Sequence, residues 1–290
     1  KPVRPVVLCF PEGAWIELMP DKTLQCEDKN LRDWEWILRS KIYWWEKIKD
    51  DNAIEPYFSF PWTIEKSDFG VEVKYEHGKD RGSYVWESPI KDLKNDFKKL
   101  KFRELKVDRE DTKKNIELAE EIFGDLLKPR LRNGWLTSSL TCELIRLIGL
   151  ENLLLYMCAQ PEDLHRLMAF MRDEHINLIE WLEKEGVLEL NNEDDYVASG
   201  GVGYTHELPK EGYTGKARIK DIWGFASDSQ ETVGVSPQMF NEFVLQYQLP
   251  IFEKFGLNYY GCCEPIHDRL DYMLKIPNLR RVSVSPWTNQ

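Results

Sequence analysis

Apolar residues recur along this chain in two rhythms, short continuous runs and longer stretches at three- and four-residue spacing, and the two alternate. Val6 to Cys9 and Ile54 to Phe58 are short runs that predict strands. Between them Trp34, Ile37, Leu38, Ile42, Trp45 and Ile48 predict a helix from Leu31 to Lys49. Val71, Val73 and Tyr75 alternate with charged residues before a turn at Gly78-Lys79-Asp80-Arg81-Gly82. This pattern predicts a hairpin insertion over 71–86 that returns through Tyr84, Val85 and Trp86.

Asp111, read as an N-cap, opens a helix to Phe123, and Pro129 to Asn133 predicts a strand. Leu140 to Cys158 and Pro161 to Glu185 predict helices, the second bounded by Pro161 at its start and Gly186 past its end. Val187 to Asn191 and Ile219 to Trp223 predict strands on either side of a glycine-rich loop from Tyr196 to Lys216. Ser236-Pro237 opens a helix to Phe255, Leu257 to Tyr260 predicts a strand, His267 to Lys275 a helix, and Arg281 to Ser285 a last strand.

Strands joined by helices predict an α/β protein with parallel, right-handed crossovers. Seven candidate strands favour a (β/α)8 TIM barrel over an open sheet. It is read as one domain over 1–290, with an N-terminal helical and hairpin insertion and its eighth βα unit missing from this chain. The expectation that follows is a polypeptide continuing past Gln290 by about 30 residues, one more βα unit. There is no Gly-x-Gly-x-x-Gly after the first strand and no phosphate-binding Gly-Lys-Ser/Thr loop.

Composition narrows the partners. Lys and Arg number 39 against 50 Asp and Glu, a formal net charge of −11, the wrong sign for a protein that lives on phosphate backbones, so no nucleic-acid partner is expected. The most apolar stretch, Leu144 to Ala159, is interrupted by Arg146, Glu151 and Asn152, so no membrane span is expected. Lys1 to Pro5 has no apolar core of a secretory leader. Six cysteines without framework spacing predict free thiols and a reducing, cytoplasmic setting. Oligomeric state is left open.

In a barrel the chemistry sits just after the strands, which brings forward Glu55, Arg130, Arg132, Asn191 to Asp195, Asp228 to Glu231, Cys262 to Glu264 and Ser285 to Trp287. Asp228 and Glu231 are candidate catalytic acids, with His206 in Tyr204-Thr205-His206-Glu207 as a proton carrier that titrates near neutrality. Gly200, Gly201 and Gly203 would let that loop close as a lid. Glu55, Asn191, Tyr204, Gln230, Tyr260, Glu264 and Trp287 are candidate substrate-binding residues. Cys262 and Cys263, in Gly261-Cys262-Cys263-Glu264-Pro265-Ile266-His267, are candidate zinc ligands by residue type. Each also has an ordinary reading: a cap, a turn, an exposed loop histidine, or small thiols packed beside a glycine.

The run Asp221-Ile222-Trp223-Gly224-Phe225-Ala226-Ser227-Asp228-Ser229-Gln230-Glu231 leads into Val235-Ser236-Pro237-Gln238-Met239-Phe240. With Tyr259-Tyr260-Gly261-Cys262-Cys263-Glu264-Pro265, it resembles the uroporphyrinogen decarboxylase superfamily, most closely the branch related to corrinoid-dependent methyltransferases. Gly134-Trp135-Leu136-Thr137 occupies the place of that superfamily's Gly-Pro-aromatic-Thr element.

The resemblance implies a (β/α)8 barrel and methyl transfer between a small methylated compound and a corrinoid carried by a partner protein. It also implies zinc held by a His-x-Cys pair and a later Cys. Here Cys262 falls on the motif's Cys while Tyr260 stands where its His would be, leaving Cys263, His206 or Glu264 as replacement ligands. The alternative is a cofactor-free decarboxylase, with Arg130, Arg132 or Arg218 anchoring a carboxylate and His206 or Asp228 handling the proton. True uroporphyrinogen decarboxylases carry Arg-Gln-Ala-Gly-Arg near the first strand, and this chain has Phe10-Pro11-Glu12-Gly13-Ala14-Trp15.

Overall fold

A computed structural model of the chain describes residues 4–78, 84–133, 137–199, 201–225 and 227–289. Residues 79–82 of the predicted hairpin turn, Gly134, Trp135, Leu136, Gly200, Ala226 and the chain end at Gln290 lie outside them. The chain divides into two units, Lys1–Pro56 and Tyr57–Gln290.

In the first unit, Val6 to Cys9 forms no strand, and one long helix, α1 (Lys29–Tyr43), dominates. Asp28 caps it by accepting the Leu31 N–H, and it runs on into a π turn, Trp44–Ile48. Its aromatic side makes edge-to-face contacts, Trp15 with Trp36 and with Tyr43, and Phe10 with Trp44.

The second unit is mixed α/β. Strand β1 (Tyr57–Pro61) pairs in parallel with β6 (Lys128–Arg132). Between them lie β2 (Ile64–Lys66), antiparallel to β5 (Leu105–Val107), and the hairpin β3 (Lys74–His77) with β4 (Tyr84–Glu87). Helix α2 (Arg109–Phe123) carries the chain from β5 to β6; its N-cap is Asp108, whose side chain accepts the Asp111 N–H, so the cap falls three residues before the expected Asp111.

Then come α3 (Leu140–Ile148), α4 (Leu150–Ala159) and the long α5 (Pro161–Glu185). Residues 140–158 are two helices because Gly149, at φ +86°, turns the backbone out of the helical region. Gly186, at φ +70°, ends α5 at the expected place. A small hairpin, β7 (Tyr196–Ala198) with β8 (Gly201–Val202), sits in the glycine-rich loop. Helical turns follow end to end over Pro237–Phe240, Asn241–Leu245 and Gln246–Phe252, and β9 (Asn258–Tyr260) pairs in parallel with β10 (Leu279–Val282).

The eight-stranded parallel barrel is not what forms. The ten strands of the described residues fall in five separate two-stranded sheets, three of them antiparallel. Alternating strands and helices predict parallel crossovers, but closure needs a continuous backbone ladder, and here the ladder is interrupted. Val187 to Asn191 forms no strand; instead the Asn133 amide donates to Glu189 O and accepts the Glu189 N–H. Asn191 does the same to Trp223, donating to its carbonyl and accepting its N–H. Ile219–Asp221 is a 3-10 turn, leaving a single parallel bridge from Trp223 to Leu257.

The core is formed by α3, α4, α5 and the 237–252 helical run, with Leu144, Leu147, Leu164, Met168, Ile179, Phe240, Val244 and Phe252 all out of solvent. Among the described residues no helix is long and apolar enough to cross a membrane.

Candidate active site

The three residues of β9 are all buried, and the strand ends on Gly261 at φ +102°. The Gly261 N–H bonds to Ser227 O at 2.8 Å, and a Cβ there would press on Ser283 at 3.2 Å. This turn swings Cys262, Cys263 and Glu264 off the strand end, toward the segment 227–232 that follows Trp223. The Glu264 carboxylate is fully buried. It accepts the Ser229 N–H (3.0 Å) and hydroxyl (3.1 Å), and Arg269 Nη1 lies 3.3 Å from it.

Ser229 Oγ is also 3.0 Å from the Tyr260 hydroxyl. A hydroxyl has one proton to give, so with Ser229 donating to Glu264 the Tyr260 O–H donates to Ser229. Arg269 completes the cluster by donating to Thr232 O and stacking over Phe240 at 4.5 Å. Burial pushes the Glu264 carboxyl up to about 7 and the charge of Asp228 adds to that, against the pull of the Ser229 N–H and Arg269. Burial likewise holds the Tyr260 hydroxyl well above its usual value.

Asp228 is the second acid. Its Oδ1 is buried with no hydrogen-bond partner, and its backbone carbonyl accepts from Gln248 Nε2 at 3.1 Å. Burial pushes its pKa up and the nearby charge of Glu231 adds to the shift, while the Ser139 hydroxyl and the Cys262 thiol pull the other way. Glu231 itself accepts the Thr141 hydroxyl at 2.7 Å. Both carboxyls are shifted toward the protonated form by burial, and the charge of Asp228 adds to the shift on Glu264. A carboxyl shifted upward keeps a proton to give at a pH where an ordinary carboxyl has lost it.

The structure thus brings together Asp228, Tyr260, Cys262 and Glu264 of the residues expected from sequence, with Glu231 at the edge. The others sit elsewhere. Asn191 is spent bridging to Trp223, and Gln230, His206, Tyr204 and Trp287 are exposed. Glu55 belongs to the first unit. Arg218 is bound to Asp221, and the Arg130 and Arg132 guanidiniums both bond to Glu193 Oε2, at 2.7 and 2.6 Å.

Arg269 and Ser139 were not singled out from sequence, and Ser229 only as part of the segment Asp228 to Glu231. Arg269 had a legible signal, since a glutamate that goes inside the protein needs a cation within reach; Ser139 had none.

Zinc fits poorly here. Cys262 and Cys263 place their sulfurs 3.6 Å apart, but among the described residues no three His, Cys, Asp or Glu side chains converge as ligands. Burial pushes the Cys262 thiol up to about 11, with Cys263 and Asp228 adding to it, which favours the thiol over the thiolate that binds metal.

The chain matches no protein-family model, no curated protein and no solved structure.

Proposed function

We propose that this chain is an enzyme that delivers a proton to a small organic substrate, with Asp228 as the general acid and decarboxylation as the reaction. The observation that carries this is the Asp228 carboxyl, whose Oδ1 is buried without a partner. In its protonated form that carboxyl has an O–H to donate, and a bound substrate would supply the missing partner. Loss of CO2 from a carboxylate leaves the bonding electron pair on carbon, and protonation there by Asp228 completes the product. The Asp228 carboxylate then regains its proton from solvent. Glu264, balanced near neutrality, keeps a second negative charge from settling permanently beside it.

The test is CO2 release from a panel of small aromatic and keto acids in D2O. The expected outcome is one deuteron at the vacated carbon, with Asp228→Asn slower by about 10²–10⁴-fold, the span of general acid catalysis. An infrared titration checks the acid directly: an Asp228 carboxyl ionising at the ordinary aspartate value would overturn the assignment.

Methyl transfer to a corrinoid protein is the second reading, and one observation favours it: the Cys262 thiol stands beside Asp228, with the Cys263 sulfur 3.6 Å from its own. A methoxy or methylamine donor also leaves only once its oxygen or nitrogen is protonated, so the same acid would serve. Methylcobalamin absorbance after adding a corrinoid protein and methylated donors would support it, and its absence across a broad panel would count against it.

A further inference from the structure

A cavity of ≈ 180 Å³ lies at the end of β6, walled by Trp62, Ile64, Leu105, Leu178, Leu182 and Val187. Its polar lining is Lys66, Arg132 and Asn133, two cations and an amide with no acid. The three polar groups differ in how far they are already engaged. Arg132 bonds to Leu190 O and Glu193, and the Asn133 amide bonds to the backbone of Glu189. Lys66 makes no ion pair or hydrogen bond with the described residues.

The nearest acids are committed elsewhere. Glu174 and Glu143 are held by Arg103, which bonds Glu174 through Nε at 2.5 Å and also through Nη2, and Glu143 at 3.1 Å. Glu189 beside the cavity accepts the Trp62 indole N–H at 3.0 Å, and burial pushes its carboxyl up, toward the uncharged form. Partial burial and the charge of Arg103 push the Lys66 amine down, against the weaker pull of Glu143 and Glu174, both of which Arg103 already holds.

We propose that this cavity is a binding site for a small monocarboxylate with an apolar body, its carboxylate on Lys66 and its hydrocarbon part against Trp62, Leu178 and Leu182. An apolar cavity of about 150 Å³ accepts benzene, so the volume here has room for a single ring or a chain of about six carbons. Apolar walls with a few polar groups at one end are the ordinary form of a small-molecule site. A charge-assisted bond to an ammonium that has no ion pair of its own among the described residues gives the acid an advantage that the matching alcohol lacks. The proposal makes no use of Asp228 and stands or falls apart from the decarboxylase reading.

The test is a calorimetric titration of the full chain with hexanoate, benzoate and 1-hexanol, followed in parallel by tryptophan fluorescence because Trp62 lines the cavity. The expected result is saturable one-to-one binding of at least one acid, about tenfold or more tighter than hexanol, a difference of about 1.4 kcal/mol. Lys66→Met abolishes that preference, whereas Lys66→Arg retains it. Lys66 ends a three-residue strand, and its ammonium makes no bond among the described residues that either change would break. Hexanol binding as tightly as the acids, Lys66→Met binding the acids like the parent, or no saturation up to about 10 mM, weaker than any of the affinities on the usual scale, would each overturn the proposal.

Discussion

Glu264 Oε2 lies 3.3 Å from Arg269 Nη1, with both side chains withdrawn from solvent. A buried pair of this kind is costly to break from one side, because the survivor is left as an unpaired charge in a low-dielectric interior. Arg269→Leu should therefore destabilise the protein by about 3–5 kcal/mol. Replacing both, Glu264→Leu with Arg269→Leu, should recover much of that loss. Urea denaturation of the two single variants and the double gives the coupling; strictly additive effects would show that the pair does not act as one unit.

Glu264 also sets a direction for stability against pH. Its carboxyl moves from 4.5 to about 7 on folding, so the folded state holds the proton more tightly than the unfolded one. The stability this contributes is fully present below pH 4.5 and is lost as pH rises through about 7. Asp228 and Glu189, also shifted upward by burial, act in the same sense. Glu35, Asp51 and Asp96, each held at about 2, act in the opposite sense at lower pH, where protonating them removes their contribution. Melting temperature should thus fall between pH 5 and 7.5, with Glu264 responsible for about 2–4 kcal/mol at most. Glu264→Gln should flatten that fall, and an unchanged slope would contradict the buried, protonated glutamate.

How much of this was legible in the sequence differs by level. Of the helices, α5 was readable to its caps: Pro161 and Gly186 bound it as expected, because proline fixes a helical φ at the first turn and glycine permits the left-handed φ that ends it. The order of strands and helices was readable only in part, since Val6 to Cys9, Val187 to Asn191 and Ile219 to Trp223 form no strand. Ladder closure was not, since Val187 to Asn191 carries a strand's composition yet is tied down through the side-chain amides of Asn133 and Asn191, a choice made by non-local partners. In the site, position after a strand brought out Asp228 and Glu264. It could not separate them from Trp287, which shares that position and stays exposed, because burial depends on what packs over each loop.

Close backbone approach gives a test of the 222–257 region. A Cβ on Gly256 would stand 2.2 Å from Lys220 O and 2.6 Å from Leu208 Cδ2. Gly256→Ala must therefore displace backbone and should cost about 1–3 kcal/mol or more, as overpacking does. Gly234 has nothing within 4 Å and no left-handed backbone, so Gly234→Ala should stay within about 0.5 kcal/mol of the parent. Thermal melts of the two variants side by side separate them; equal stability would mean that the Gly256 contact does not exist.

The thiols test the site without any substrate. Cys9, Cys158 and Cys263 are exposed, and Cys262 is partly covered with its thiol pushed up to about 11 by burial, Cys263 and Asp228. Alkylation runs through the thiolate, whose fraction falls as pKa rises while its intrinsic nucleophilicity rises less steeply, leaving Cys262 about 10–100-fold slower than an ordinary exposed thiol at pH 7.5. Iodoacetamide followed by peptide mass mapping should therefore label Cys9, Cys158 and Cys263 first. Label on Cys263, its sulfur 3.6 Å from that of Cys262, should slow the second thiol further. Because the Asp228 charge helps hold the Cys262 proton, Asp228→Asn should speed labelling of Cys262 and leave Cys9 and Cys158 unchanged. Equal rates at Cys262 in the parent and in Asp228→Asn would separate the two residues and dissolve the acid cluster on which the proposed chemistry rests.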